Sequence, residues 1–376
     1  MTTTGSVPRP PQLARLLEAA ASGAADPAAI ERGLADATAA AVAWQRRCGV
    51  DVVSDGEVAR RSVLDARQLG FDGPPVPFPL ADLADTGTGQ WAPGGLACPG
   101  TAQAPSNTRE IAYDPGPAAA RIARFRKALD DLGSDQPAGA FLAAPSPGLA
   151  TLAGTSYYRD PREFLAAAAA ALAHEYRAIT DAGLMLQVDA PDLTLPYHAW
   201  CQGMPVEEFR TRARLQAEHL NRALAGIDPQ QVRLHICWGN YPGPHHRDLP
   251  LAVIIDILYS VHAGTLVLAG ATAQHRADWR VFATRKLPAG TTLAAGLIDT
   301  TDPGVETPVA IADALVAVAG VTGPDRLLAA TDCGFAGFPG APALPARIAE
   351  LKVQALKAGA DMATRRLWRG DNSATA

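Results

Sequence analysis

The chain has 376 residues and a formal net charge of −5, from 33 Lys plus Arg against 38 Asp plus Glu, which gives no general electrostatic reason to hold nucleic acid or an anionic membrane. Apolar residues make up 48% and charged residues 19%, so neither a disordered nor a fibrous protein fits; the longest apolar run, around 165–173, is mostly alanine and too short to cross a bilayer. Residues 1–10 lack the basic region and apolar stretch of a secretory signal, and five cysteines in so long a chain do not resemble a disulfide framework, so a cytoplasmic protein is expected, with thiols that are structural, metal-binding or nucleophilic.

At about 150 residues per domain this length would suggest two domains, but a single α/β barrel also reaches it. In chain order, short β-branched runs at 2–5, 51–54, 140–144, 184–188, 232–236, 265–268, 292–297 and 326–331 alternate with alanine- and leucine-rich stretches. The stretch 161–181 is an example of a helix, with Phe164, Leu165, Leu172, Tyr176 and Ile179 at helical spacing and Gly183 as a terminator. Eight strands with intervening helices predict an α/β fold, a single TIM (β/α)8 barrel domain over 1–376. A doubly wound sheet competes, but no GxGxxG turn follows the first strand. The Pro- and Gly-rich stretch 70–107 breaks the rhythm after the second strand and is expected to be an insertion, either a lid or a surface excursion.

Polar residues unusual for buried strands stand at the C-terminal end of nearly every candidate strand: Ser6, Asp55 with Glu57, Ser146, Asp189 with Asp192, His235 with Cys237 and Asn240, Asp299, and Asp332 with Cys333. In a barrel those ends converge on one mouth. Each alone would read as a helix cap or a satisfied core group; seven strands in agreement point to a site. His235 and Cys237 are two apart and share one face of a strand. Cys333 ends the last strand, which closes beside the first. One imidazole and two thiolates suit zinc, and three protein ligands leave a position open. The alternative is two small buried thiols and a core histidine. Cys48, Cys98 and Cys201 lie in helical or loop contexts unsuited to ligation.

As a group these motifs resemble the cobalamin-independent methionine synthase family, its catalytic C-terminal barrel and the single-barrel relatives that include the epoxyalkane:coenzyme M transferases. The resemblance rests on Thr2-Thr-Thr-Gly-Ser-Val-Pro8, Asp51-Val-Val-Ser-Asp-Gly-Glu57, Leu186-Gln-Val-Asp-Ala-Pro-Asp192, Leu234-His-Ile-Cys-Trp-Gly-Asn240 with Gly243-Pro-His-His246, and Ala330-Thr-Asp-Cys-Gly-Phe335, in family order along almost the whole chain. It implies a barrel in which Zn2+, held by His235, Cys237 and Cys333, binds a small thiol as a thiolate that attacks an alkyl group. It also implies that Ser6, Glu57 and Asp189 hold the amino-acid part of homocysteine, the two carboxylates through its ammonium.

Three positions depart from the family. Ala269, in Thr265-Leu-Val-Leu-Ala-Gly270, replaces a glutamate ligand, and Thr301 replaces a histidine proton donor. The tryptophan that stacks on the pterin is missing from Phe141-Leu-Ala-Ala-Pro-Ser-Pro-Gly148, and the long members' N-terminal barrel has no counterpart here. A neutral zinc shell with two thiolates favours activated electrophiles, such as a strained epoxide or a sulfonium, over a methylated pterin. The candidate catalytic side chains are His245, as general acid or substitute ligand, and Asp299; His246 and His275 are weaker candidates. The expected partners are a homocysteine-like or coenzyme M-like thiol and an alkyl donor. Arg60 and Arg61 read either as an exposed helix face or as a contact for an acidic substrate group. The expected activity is a zinc-dependent thiol alkyl- or methyltransferase. The alternatives are a metal-binding barrel without transferase activity, or a lyase that cleaves thioethers.

Overall fold

The structure, a computed structural model, describes residues 1–21, 25–60, 67–79, 101–152, 154–199, 201, 203–336 and 344–369. Seven parallel strands form one sheet: β1 (Val52–Ser54), β4 (Gly139–Pro145), β5 (Met185–Asp189), β6 (Val232–Ile236), β7 (Thr265–Leu268), β8 (Thr292–Gly296) and β9 (Leu327–Ala330), hydrogen-bonded in that order. Each strand pairs with the next in sequence apart from the separate ribbon described below, and helices fill most of the crossovers, the arrangement of a TIM-like barrel.

At the two edges Thr2 makes parallel bridges to both Val52 of β1 and Ala330 of β9. The expected strand at 2–5 is therefore a single bridged residue. Gly5, at φ 132°, takes the chain out of extended geometry immediately afterwards, and Pro8 and Pro10 supply no amide hydrogens for a longer ladder. Within 70–107, Pro75–Pro79 (β2) and Thr101–Pro105 (β3) pair antiparallel; 80–100 lies outside the described residues. Prolines at every second position of β2 leave the intervening residues to carry the ladder.

The strands read as apolar runs because both of their faces are covered. On β6, Val232, Leu234 and Ile236 join the large core under the helices, which turns Arg233 and His235 to the other face. On the neighbouring strands Val267, Ala294 and Ala330 pack together as a separate inner cluster. Those inner positions are small, and the interior continues in polar side chains. Arg233 is 2% exposed, lies 4.1 Å from the centroid of the Phe141 ring, and donates to Gln187 Oε1 at 3.3 Å and Thr2 Oγ1 at 3.2 Å.

The helix Pro161–Asp181 has the bounds its pattern predicts. Asp160 caps it by accepting from Arg162 N at 2.8 Å, Pro161 opens it, and Gly183 follows it at φ 75°. Phe164, Leu172, Tyr176 and Ile179 are buried against the sheet, each contributing about 1.5–3 kcal/mol. Tyr176 Oη donates to the carbonyl of Pro145 at 2.6 Å and so fixes the helix to the end of β4. Among the described residues no helix is long and apolar enough to cross a membrane.

Candidate metal centre

The alternation of β6 that turns Val232, Leu234 and Ile236 outward carries His235 and Cys237 inward together, and Cys333 reaches the same point from the end of β9. His235 Nε2 stands 3.8 Å from Cys333 Sγ, and the donor atoms of all three lie within 4.8 Å of one another. All three residues are at most 6% exposed. The ring is aimed from behind: His235 Nδ1 is 3.0 Å from Asp189 Oδ1, which also accepts from Gln187 Nε2 at 3.0 Å, while Gln187 Nε2 donates to Thr4 O at 2.9 Å. A carboxylate on Nδ1 leaves Nε2 as the ligating nitrogen. Burial opposes the imidazolium, but the Asp189 hydrogen bond and the neighbouring thiol push His235 up to about 10. A hydrogen bond shared by the two thiols lowers the pKa of Cys237 and raises that of Cys333.

Borderline-soft nitrogen and sulfur donors in a buried cluster of this size fit Zn2+. No fourth His, Cys, Asp or Glu joins the cluster among the described residues. Ala269, just past the end of β7, packs against Cys237 and Cys333. His245 does not fill that place: its Nδ1 is 2.8 Å from Asp248 Oδ2 and its Nε2 is 3.1 Å from Tyr241 O.

Arg60 brings Glu57 and Asp189 together at the ends of β1 and β5, whereas Ser6 faces the chain after β9. Ser6 Oγ accepts from Ala336 N at 3.1 Å. Arg60 Nη1 donates to Glu57 Oε2 at 3.0 Å and lies 3.4 Å from Asp189 Oδ2, with side chains only 10%, 11% and 5% exposed, so Arg60 is not on an exposed helix face; Arg61 lies outside the described residues. Beside them Arg121 donates to both oxygens of Asp55, at 2.6 and 2.9 Å, and to Ala143 O at 2.6 Å. Burial pushes the Glu57 carboxyl up against the opposing pull of Arg60.

Toward β7 and β8, His245, Asp299, Ala269, Cys237 and Cys333 line one recess of about 20 Å3. Asp299 Oδ1 accepts from Thr301 N at 2.8 Å and from Thr301 Oγ1 at 2.7 Å, so Thr301 orders the acid two residues before it. Asp332 accepts from Gly270 N at 3.1 Å and from Ala271 N at 2.9 Å; burial nevertheless raises it to about 7. His275 lies between Asp248 and Asp278, 2.8 Å from each, and stacks on Trp238 with ring centroids 3.8 Å apart. Glu57 and His245 are the two non-glycine residues of the described chain with positive φ, 51° and 53°, so backbone strain collects at this end of the strands.

Reading the sequence alone missed the roles of Arg60, Gln187, Asp248 and Asp278. Two of these carried a signal: Asp248 and Asp278 each follow a histidine by three residues, the spacing at which each pair meets. Gln187 shares the inward face of β5 with Asp189 by period two. Cys48 and Cys201 are buried outside the cluster, and Cys98 lies outside the described residues.

The fold agrees with that of proteins the chain is similar to. A solved B12-independent methionine synthase from Shewanella sp. W3-18-1, in complex with selenomethionine, superposes with a TM-score of 0.74 at 18% identity over 98% of both chains. A putative vitamin-B12 independent methionine synthase from Listeria monocytogenes gives 0.64 at 18% identity over 96% of both. At that identity these two show a shared fold. The 2-hydroxypropyl-CoM lyase of Xanthobacter autotrophicus (strain ATCC BAA-1158 / Py2) is 23% identical over 381 residues, covering 92% of this chain and 89% of that one. Residues 142–352, more than half of the chain and the segment that carries β5 to β9, match the model of the cobalamin-independent synthase catalytic domain, and the chain belongs to that family.

Proposed function

We propose that the chain is a zinc-dependent thiol alkyltransferase: His235, Cys237 and Cys333 hold the metal, and a small thiol enters the position beside Ala269. The observation that carries this reading is the convergence of one ring nitrogen and two sulfurs within 4.8 Å, with an alanine where a fourth donor would stand. Zinc held by these three residues would act as a Lewis acid that favours the deprotonated form of a thiol. The chain's own residues do the rest. Asp189 fixes the His235 ring, the Thr194 hydroxyl holds the Cys237 carbonyl at 2.5 Å, and the Thr331 hydroxyl holds that of Cys333 at 2.9 Å. Asp299 lines the recess beside the two thiols and would take the thiol proton or return one to the leaving group, while His245, whose ring nitrogens meet Asp248 and the Tyr241 carbonyl, would order the wall next to it. In the transfer the thiol loses its proton, its sulfur forms a bond to carbon, and the leaving group departs with the electron pair of the broken bond.

Thr2 then stands for the eighth strand of a single barrel domain, and the ribbon after β1 is its insertion. The same arrangement serves the reverse reaction, breakage of a thioether C–S bond. The likeness to a 2-hydroxypropyl-CoM lyase favours assaying both directions, with coenzyme M among the thiols.

Metal analysis with thiol titration tests the reading. The purified, metal-supplied protein should hold about one zinc per chain, and Cys333→Ser should weaken zinc binding by about 100-fold or more with an unchanged circular dichroism spectrum. A zinc-free protein, or full zinc retention in both Cys237→Ser and Cys333→Ser, would overturn it.

A further inference from the structure

Between β7 and β8 the only helical segment is the short 3-10 turn Asp278–Ala283, whereas the next crossover carries the helix Pro308–Thr322. So short a turn leaves part of the helix-facing side of the two strands uncovered, and a cavity of about 320 Å3 remains between the turn, the strands and that helix. Its floor is apolar. Leu268, Leu293, Phe282, Ile311 and Val318 are each at most 5% exposed, and Ala295, Ala310 and Ala314 contribute only methyl groups to its walls. Ala269 and His275 line both this cavity and the recess at the metal centre, so the two lie back to back across the end of β7.

The charges at the rim do not balance. Asp278 is answered by His275 at 2.8 Å, and Glu306 accepts from the buried Lys352 on both oxygens, at 2.9 and 3.0 Å. Arg276 is exposed, donates to the carbonyl of Ala273 at 3.4 Å and makes no ion pair among the described residues. Arg280, one turn further on, lies 5.7 Å from the centroid of the Trp279 ring, itself part of the lining. The rim is therefore left with an excess of positive charge. Val305 and Val309, next in sequence to the lining residues Glu306 and Ala310, are 42% and 51% exposed, so apolar surface continues outside the cavity.

An apolar floor offers water few partners, and a cationic rim favours an anionic head. Volume sets the length of the tail: an apolar cavity of about 150 Å3 takes one benzene ring, so this one has room for roughly ten carbon atoms. We propose that the cavity is a second ligand site, which takes an unbranched alkyl chain of about ten carbons ending in a carboxylate, the tail on the apolar floor and the carboxylate at Arg276. The site is separate from the thiol chemistry of the recess and does not require the metal.

Decanoate, kept below the concentration at which it forms micelles, is the probe. Calorimetric titration should give one site per chain. Butanoate, which lacks the tail, and decyltrimethylammonium, which lacks the anionic head, should each bind at least about tenfold less tightly. Arg276→Gln should weaken decanoate binding by about tenfold, and Ala314→Phe, which adds a ring to the wall of the cavity, should abolish it. Arg276 is exposed, so the first variant does not test the tolerance of the core. Cys333→Ser should bind decanoate as the wild type does, which keeps this site distinguishable from the metal reading. A wild-type protein that ignores decanoate, or that binds decyltrimethylammonium equally well, would overturn the proposal. So would decanoate binding that is unchanged in Arg276→Gln and lost in Cys333→Ser, since the carboxylate would then be at the metal centre.

Discussion

The strand ends on the two sides of the mouth differ in kind. From β1 and β5 come hard, buried charges closed by guanidiniums: Asp55 with Arg121, and Glu57 and Asp189 with Arg60. From β6, β7 and β9 come soft donors and a small residue: His235, Cys237, Ala269 and Cys333. The first side is complete as it stands, every named carboxylate paired within the chain. The second offers three donors among the described residues, with Ala269 beside them. A buried ion pair costs more to break than it stabilises to form, so the charged side serves as a rigid wall. A three-donor cluster with an alanine beside it is the place where something from outside can bind. Asp189 belongs to both sides, since one oxygen meets Arg60 and the other aims His235.

The comparison breaks most visibly at the wall. Arg121→Met would leave Asp55, 1% exposed, as an unpaired buried charge and should cost about 3–5 kcal/mol in urea unfolding at pH 7. The pH dependence carries the sign. Burial raises the Asp55 carboxyl and Arg121 more than offsets it, leaving it below the ordinary value. Its contribution is therefore present above the unfolded pKa of about 4 and is lost as pH falls through the folded value. Without Arg121 the carboxyl should titrate above that unfolded value, so the gap between mutant and wild type should narrow from pH 7 to pH 4. A gap that stays constant would mean that Asp55 is not paired as described.

At the shared residue, Asp189→Asn should weaken zinc binding by about 10–100-fold, read by competition with a chromophoric chelator, because the ring of His235 loses its carboxylate. Unchanged zinc affinity would confine Asp189 to the charged wall. The smallest effect is expected at the gap. Ala269→Glu should tighten zinc roughly tenfold by supplying a fourth donor, and should weaken thiol binding because the thiol must then displace a carboxylate. If the added glutamate leaves both affinities alone and only lowers stability, its charge is buried without a partner and the gap lies elsewhere.

The parallel strands, the helix over 161–181 and the pairing of His235 with Cys237 are legible along the chain, because each depends on a spacing of two, three or four residues; Cys333 is legible only as the residue that ends the last strand. The period-two rule alone puts His235 and Cys237 on one face, while at Gly5 the local pattern overstates a strand that the turn cuts short. What the chain could not show was pairing at a distance. Arg60 reads as one more basic residue after a turn, and only the sheet order β1-β4-β5 brings Asp189, 129 residues later, within 3.4 Å of it. Gly5 likewise acquires its meaning only when Glu57 closes over it. Sequence determined which chemistries the mouth can hold, since donor type and local periodicity are covalent facts. Tertiary structure decided which of those groups already satisfy one another and which remain for a ligand, because charge compensation depends on distances through space that no local spacing encodes.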